Sequence, residues 1–211
     1  MDGCAKTRHG AASAELSDRA EGGRKETKET ATPAESGARK RIVNSVGSRW
    51  RPAYVGIGSN LDSPQDQLER AIASLAEIES TILVRTSPYY RSAPLDGTEQ
   101  PDYINAVSAL LTLLDAGRLL ESLQEIERAH GRMRDAEKWA PRTLDLDLLV
   151  YSSASIDGKD LKVPHPGISE RNFVLLPLLD IAPHLFIPGR GSVAGLAAAA
   201  DTSNPRIEKL A

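Results

Sequence analysis

Apolar positions fall into a regular rhythm only from Ala53 onward; before that, aliphatic residues are scattered without a period. AYVGIG at 53–58 reads as a short strand ending in glycine. A turn over Ser59–Asp62 follows, with Ser63 placed to cap a helix and Pro64 at its first position. Leu68, Ile72, Leu75 and Ile78 recur three and four apart, which predicts that helix through residue 78. Thr81 to Tyr90 is β-branched and aromatic and reads as one strand, closed by a loop over 91–102 that holds Pro94, Gly97 and Pro101. Tyr103 to Leu113 alternates as a strand. Asp115 caps a second helix carrying Leu119, Leu120, Leu123 and Ile126, running to about His130. After a charged loop, Leu144, Leu146 and Leu148 alternate with Asp145 and Asp147, again a strand. Beyond it the pattern predicts a hairpin around Gly158, a helix over 170–180 and a short Ala-rich helix over 192–200.

The order β-α-β-β-α-β predicts an α+β, ferredoxin-like sandwich, an antiparallel sheet with helices on one face. That architecture hosts many chemistries, so function has to come from the site. The patterned part, 51–211, is long enough for one domain. Residues 1–50 carry ten Lys/Arg against seven Asp/Glu and no aromatic before Trp50. Such a segment cannot bury enough apolar surface to offset its ordering entropy, and it is expected to be a disordered extension. Its seven acids argue against a transit peptide.

The chain's net charge is −3, which leaves the patterned part near −6 and excludes a global basic field for nucleic acid. One cysteine, Cys4, excludes an internal disulfide and a multi-cysteine zinc site. No apolar run reaches the length of a membrane span, and the front has no secretory apolar core. The expectation is a cytoplasmic monomer with small-molecule partners, no nucleic acid and no membrane.

The densest chemistry is GRMRDAEKWAPRTLDLDLLVY at 131–151. Side chains two apart on a strand share a face, so Asp145 and Asp147 project together with leucines behind them. Two close carboxylates repel, and a divalent cation relieves them. Arg132, Arg134, Lys138 and Arg142 arrive from the preceding loop, and guanidinium and ammonium groups suit a polyphosphate. Together they read as phosphoryl transfer from a magnesium nucleotide. The competing reading is a solvated edge strand, since half-buried strands alternate in the same way.

Other motifs carry less. GIGSN at 56–60 lacks the Lys-Ser/Thr of a phosphate loop and a third glycine, and reads first as a strand-to-helix turn. The alternative is small residues that let a ligand approach the backbone. Tyr103 and Asn105 share a strand face, which would suit a flat heterocycle needing one ring to stack on and one amide at its edge. His165 in VPHPG is a turn residue or, with Arg171, part of a phosphate cradle. No nucleophile elbow or Cys-His pair is present.

Taken together, GSNL at 58–61, YYRSAPL at 89–95, QPDYINAV at 100–107, GRMRDAEKWAPRTLDLDLL at 131–149 and VPHPGISERNFVLLPLLDIAP at 163–183 resemble the 6-hydroxymethyl-7,8-dihydropterin pyrophosphokinases. The likeness runs from about Ala53 to Pro188. It implies transfer of pyrophosphate from ATP to the pterin's hydroxymethyl group, with release of AMP, in folate biosynthesis. By the same resemblance, Asp145 and Asp147 would hold two Mg²⁺ ions, and Arg132 and Arg142 would serve catalysis. Gln124, Glu127, Arg134, Trp139, Arg142, Leu148, Lys162, His165 and Arg171 would contact ATP. Tyr103 and Phe173 would sandwich the pterin, Asn105 would bond its edge, and Ser92, Pro94, Leu95 and Trp139 would complete that subsite. Asp135, Lys138 and Asp160 depart from residues common in the family, and no side chain stands out as a general base. Two other classes stay open on the residues alone: a pterin or nucleotide sensor without turnover, and a two-metal phosphodiesterase.

Overall fold

A computed structural model describes residues 49–95, 99–131 and 143–210. The expectation of a disordered front falls almost wholly outside the described residues. So do the positions of Arg132, Arg134, Lys138, Trp139 and Arg142.

The elements run β1 (Arg51–Ser59), α1 (Pro64–Ala76), β2 (Thr81–Thr86), β3 (Tyr90–Ser92), β4 (Tyr103–Thr112), α2 (Ala116–Ala129) and β5 (Asp145–Tyr151). They continue with β6 (Ile156–Asp157), β7 (Lys162–Val163), α3 (Asn172–Ile181), β8 (Phe186–Ile187), β9 (Gly191–Ser192), α4 (Val193–Ala199) and β10 (Ile207–Lys209). Six strands form one antiparallel sheet in the order β10-β3-β4-β1-β5, with β2 also on β4.

Period two sorts the residues of the central strands to two faces. Ala53, Val55 and Ile57 of β1, Ile104, Ala106 and Leu110 of β4, and Leu146 and Leu148 of β5 pack beneath α1 and α2, against Leu68, Leu75, Leu119 and Leu123. The second face is also covered, which corrects the expectation of helices on one side only. Val107, Leu149 and Val150 meet Val174 and Leu178 of α3, together with Ile168, Ile187 and Val193. The reason lies in α3 itself: NFVLLPLLDI is apolar nearly all round, and a helix of that composition has to be buried. A bulge in β5 serves this layer. The register slips between Tyr54 and Val55, which places Leu149 and Val150 side by side toward α3 and returns Tyr151 to the other core.

The single strand predicted over 81–90 is broken in two. Thr81–Thr86 pair with one half of β4 and Tyr90–Ser92 with the other, and Pro88, which has no N–H to give a ladder, lies between. Ser87 keeps the edge closed there: its N–H donates to Val107 O at 2.9 Å and its Oγ accepts from Val107 N–H at 3.0 Å. Asp115 caps α2 as expected, accepting from Arg118 N–H at 2.9 Å. Ser63 does not cap α1. Its backbone is left-handed (φ 60°) where a side-chain cap needs an extended one, and its carbonyl alone starts the helix. The pairs β8–β9 and β3–β10 have no counterpart in the sequence pattern, because strands of two or three residues leave no period to read.

Candidate active site

The face toward α3 is where the candidate residues meet. Cross-strand pairing lines up Tyr90 on β3, Asn105 on β4, Gly58 on β1 and Asp145 on β5 as one row. Ser92 and Tyr103 pair in the next row on one side, and Val107, Gly56 and Asp147 form the next row on the other. Neighbouring strands lie about 4.8 Å apart, so Asn105 and Asp145 stand roughly 10 Å from each other with a glycine between them. The result is a shallow trough floored by backbone. A Cβ on Gly58 would sit 3.3 Å from Asn105 Oδ1. Both glycines of GIGSN are therefore inside β1, not in the turn: Gly56 leaves room for the Leu149 side chain and Gly58 for the Asn105 amide.

At one end of the trough, Asn105 is 6% exposed and its Nδ2 donates to Ser92 Oγ at 2.9 Å. That bond fixes which way the amide faces. Tyr103 is half-buried, and its hydroxyl donates to Gln100 Oε1 at 3.5 Å. Asn60, buried at the end of β1, donates to Gln100 Oε1 (3.3 Å) and Pro101 O (3.4 Å) and so anchors the loop ahead of Tyr103. Pro94 is half-buried and Leu95 exposed beside this end.

At the other end, Asp145 and Asp147 project from β5 with Leu144, Leu146 and Leu148 buried on the opposite face. Asp147 Oδ2 lies 3.2 Å from an Arg171 guanidinium nitrogen and 3.8 Å from His165 Nε2. His165 is held from two sides: its backbone N–H donates to Leu149 O of β5 at 2.8 Å, and its Nδ1 accepts from Gly167 N–H of its own loop at 3.2 Å. With Nδ1 an acceptor, the neutral ring carries its proton on Nε2, toward Asp147. Burial lowers the basicity of His165, Asp147 opposes that, and Arg171 reinforces it. Arg171 also lies over the Phe173 ring, 5.8 Å from its centre. Gly167 makes this possible, since a Cβ there would come within 2.8 Å of Arg171 Nε.

Four residues assigned to nucleotide contact sit apart from this face. Leu148 is 4% exposed and turned into the core beneath α1 and α2, so its side chain cannot line the trough and only its main chain is at hand. Glu127 is 3% exposed, and its Oε1 accepts from Leu146 N–H at 2.8 Å, the amide between the two aspartates. Lys162 is exposed on β7, paired with Asp157. Gln124 is half-buried one turn before Glu127 on α2. Nothing in the residue pattern pointed to the support given by Asn60 and Ser87, whereas the small-residue string GIGSN offered Gly58 as room for a ligand beside the backbone.

The donor set suits a hard cation. Among the described residues no cluster of three or more His, Cys, Asp or Glu encloses a site. Two half-exposed carboxylates on an open face fit a magnesium ion, which keeps several waters and takes one or two carboxylates plus phosphate oxygens.

Comparison with known proteins assigns the chain to the kinases that act on small molecules. Residues 54–183 match the 7,8-dihydro-6-hydroxymethylpterin-pyrophosphokinase (HPPK) family, and the chain belongs to it. It is 43% identical over 136 residues to the 2-amino-4-hydroxy-6-hydroxymethyldihydropteridine pyrophosphokinase of Haemophilus influenzae, covering 64% of this chain and 84% of that one. The Pseudomonas aeruginosa protein of the same name is 46% identical over 135 residues, covering 64% and 83%. Among solved structures, wild-type Plasmodium falciparum HPPK-DHPS with pterin and p-hydroxybenzoate superposes with a TM-score of 0.56 at 13% identity. The match covers 73% of this chain and 44% of that longer one, a likeness of fold. No helix among the described residues is long and apolar enough to cross a membrane.

Proposed function

We propose that this chain transfers pyrophosphate from ATP to the hydroxymethyl group of 6-hydroxymethyl-7,8-dihydropterin, giving AMP and the pterin diphosphate, a step of folate biosynthesis. It is a transferase, an ATP-dependent pyrophosphokinase. The observation that carries the reading is the row Asn105–Gly58–Asp145, which joins an amide suited to a heterocycle edge and a carboxylate suited to a phosphate-bound cation across a floor without side chains. A flat ring bonded by Asn105 and stacked between Tyr103 and Phe173 can extend a one-carbon arm along that floor toward the aspartates.

Asp145 and Asp147 would hold Mg²⁺, two ions by resemblance, which neutralises charge on the triphosphate and on the departing α-phosphate oxygen. The rest falls to the chain. The substrate's hydroxyl oxygen forms a bond to the β-phosphorus, the bond from that phosphorus to the α–β bridging oxygen breaks, and the hydroxyl proton leaves to solvent. Positioning does most of this work, because a loose phosphoryl-type transition state asks for little proton transfer. Arg171, now paired with Asp147, is placed to turn to a phosphate once the carboxylate has a cation. His165 Nε2–H offers a second donor at the same place. Arg132, Arg134, Trp139 and Arg142 complete the phosphate side by resemblance. Glu127 acts through the Leu146 amide, holding the strand between the two aspartates in place. We read β5-β1-β4-β2 with α1 and α2 as the ferredoxin-like core, and the protein as a monomer.

Incubation with ATP, Mg²⁺ and the hydroxymethyl-dihydropterin tests the reading. AMP should form in equal amount to pterin diphosphate. Tight pterin binding without AMP would make the protein a sensor, and release of inorganic phosphate without the pterin would make it a hydrolase.

A further inference from the structure

Past the matched span of 54–183, the chain continues through α4 to β10, and this last segment is fastened to both walls of the candidate pterin subsite. On the first wall β10 pairs with β3, Ile207 opposing Ser92, Glu208 opposing Arg91 and Lys209 opposing Tyr90. The ladder is extended at each end: Ala93 N–H donates to Arg206 O at 3.0 Å, and Leu210 N–H to Tyr89 O at 2.8 Å. Arg206 reaches Asp102, the residue before Tyr103, at 3.4 Å. Lys209 and the Tyr90 hydroxyl converge on the Asp180 carboxylate of α3, at 2.9 and 2.6 Å. Without β10, β3 would be a three-residue edge strand held from one side alone.

The second wall is held by Asn172, the first residue of α3, between Arg171 and Phe173. It is 1% exposed, and its Nδ2 donates to Asp201 O at 2.7 Å and to Pro205 O at 2.8 Å. Its Oδ1 is buried and accepts nothing among the described residues. A buried acceptor left unmade is costly, so the amide is explained by its two donated bonds. Both end on the C-terminal segment.

We infer that residues 201–209 form a strap that sets the gap between the Ser92–Pro94 wall and Phe173, and that Asn172 is a positioning residue for the pterin. This rests on the functional reading above. The strap touches β3 and the start of α3 and pairs with neither β1 nor β5, the strands that carry the trough floor and the aspartates. Loosening β10 should therefore weaken the pterin's hold far more than the nucleotide's, whereas loosening Asn172 also reaches Arg171 beside it, on the phosphate side. A widened stacking gap loses ring contact, and a lost aromatic pair is worth up to about tenfold in binding.

The test compares wild type with Asn172→Ala, Asn172→Gln and a chain ending at Pro205, which keeps the acceptors of Asn172 but removes β10. Circular dichroism confirms folding, and KM is measured for each substrate. Asn172→Ala and the shortened chain should each raise the KM for the pterin about tenfold, and in the shortened chain kcat and the KM for ATP should stay within about threefold. Asn172→Gln, which keeps both amide hydrogens, should recover part of the loss. An unchanged pterin KM in folded variants, or equal losses in both KM values and kcat in the shortened chain, would overturn the strap. Lys209→Ala serves in the same comparison if Asn172→Ala does not fold. Should wild type make no AMP, the functional reading fails separately, and equilibrium titration of pterin fluorescence then decides the strap: equal Kd in wild type and variants overturns it.

Discussion

Replacing Glu127 by alanine tests whether the aspartate-bearing strand is held from behind. Glu127 is 3% exposed, and its Oε1 takes the Leu146 N–H at 2.8 Å. Alanine removes a charge-assisted hydrogen bond and leaves a backbone donor in a place that water reaches poorly. A bond to a charged group is worth about 1.5–3 kcal/mol, and an orphaned buried donor costs a similar amount. Returning the carboxylate to water on unfolding offsets part of this, so the net loss should be about 2–3 kcal/mol. For a domain of this size about 2–4 °C is lost per kcal/mol, so the thermal midpoint should fall by roughly 5–10 °C. Glu127→Gln keeps an oxygen at the acceptor position and sheds the desolvation of a charge, so its midpoint should stay within about 3 °C of wild type. Turnover should follow the same order, because Leu146 is the residue between Asp145 and Asp147. Thermal unfolding by circular dichroism with parallel AMP-release assays gives both numbers. A midpoint for Glu127→Ala within about 1 °C of wild type would show that water replaces the carboxylate and that the strand needs no such support. Equal losses for both variants would assign the effect to charge instead of the acceptor.

Asp145→Ala and Asp147→Ala should each reduce AMP formation to below about a tenth of wild type, a loss of several kcal/mol of metal-assisted stabilisation, and Asp147→Ala should also lower the midpoint, because it takes away the carboxylate 3.2 Å from the Arg171 guanidinium. Thermal scans without Mg²⁺ check the second half. Gly58→Ala puts a methyl 3.3 Å from Asn105 Oδ1 in the floor of the trough; the pterin KM should rise by about tenfold with stability altered by less than about 1 kcal/mol, and an unchanged KM would mean the floor is not used. His130, half-buried between Gln67 and Arg70, has its basicity lowered first by burial and then by Arg70. The unfolded chain then binds the proton more tightly, so the stability this ring contributes is present above its ordinary value of 6.5 and is lost as pH falls toward the lowered folded value. His130→Gln should flatten that acid-side slope by up to about 1.4 kcal/mol per pH unit, read from urea midpoints between neutral and mildly acid pH. His165 shifts in the same direction, chiefly by burial, and adds slope of the same sign.

The elements that carry long periods were legible from the residues. Leu68, Leu75, Leu119 and Leu123 are all fully buried under their predicted helices, and the alternation of Leu144, Leu146 and Leu148 against Asp145 and Asp147 gave both the strand and the face. Local chemistry was legible too: Asp115 caps its helix because a cap joins residues only three apart. What tertiary structure alone decided involves partners far apart in the chain. That Gly58 separates Asn105 from Asp145 is a matter of register across three strands, and register has no local signature. Pro88 split a strand that its β-branched residues made continuous, and the bulge at Leu149 turned an apolar pair toward α3. The placing of α3 across the second face, with Asn172 tied to residues 201 and 205, needed the whole fold. Side-chain type declares which groups want burial, charge or a cation; which of them come to share one face is settled only when all the strands compete for the same core.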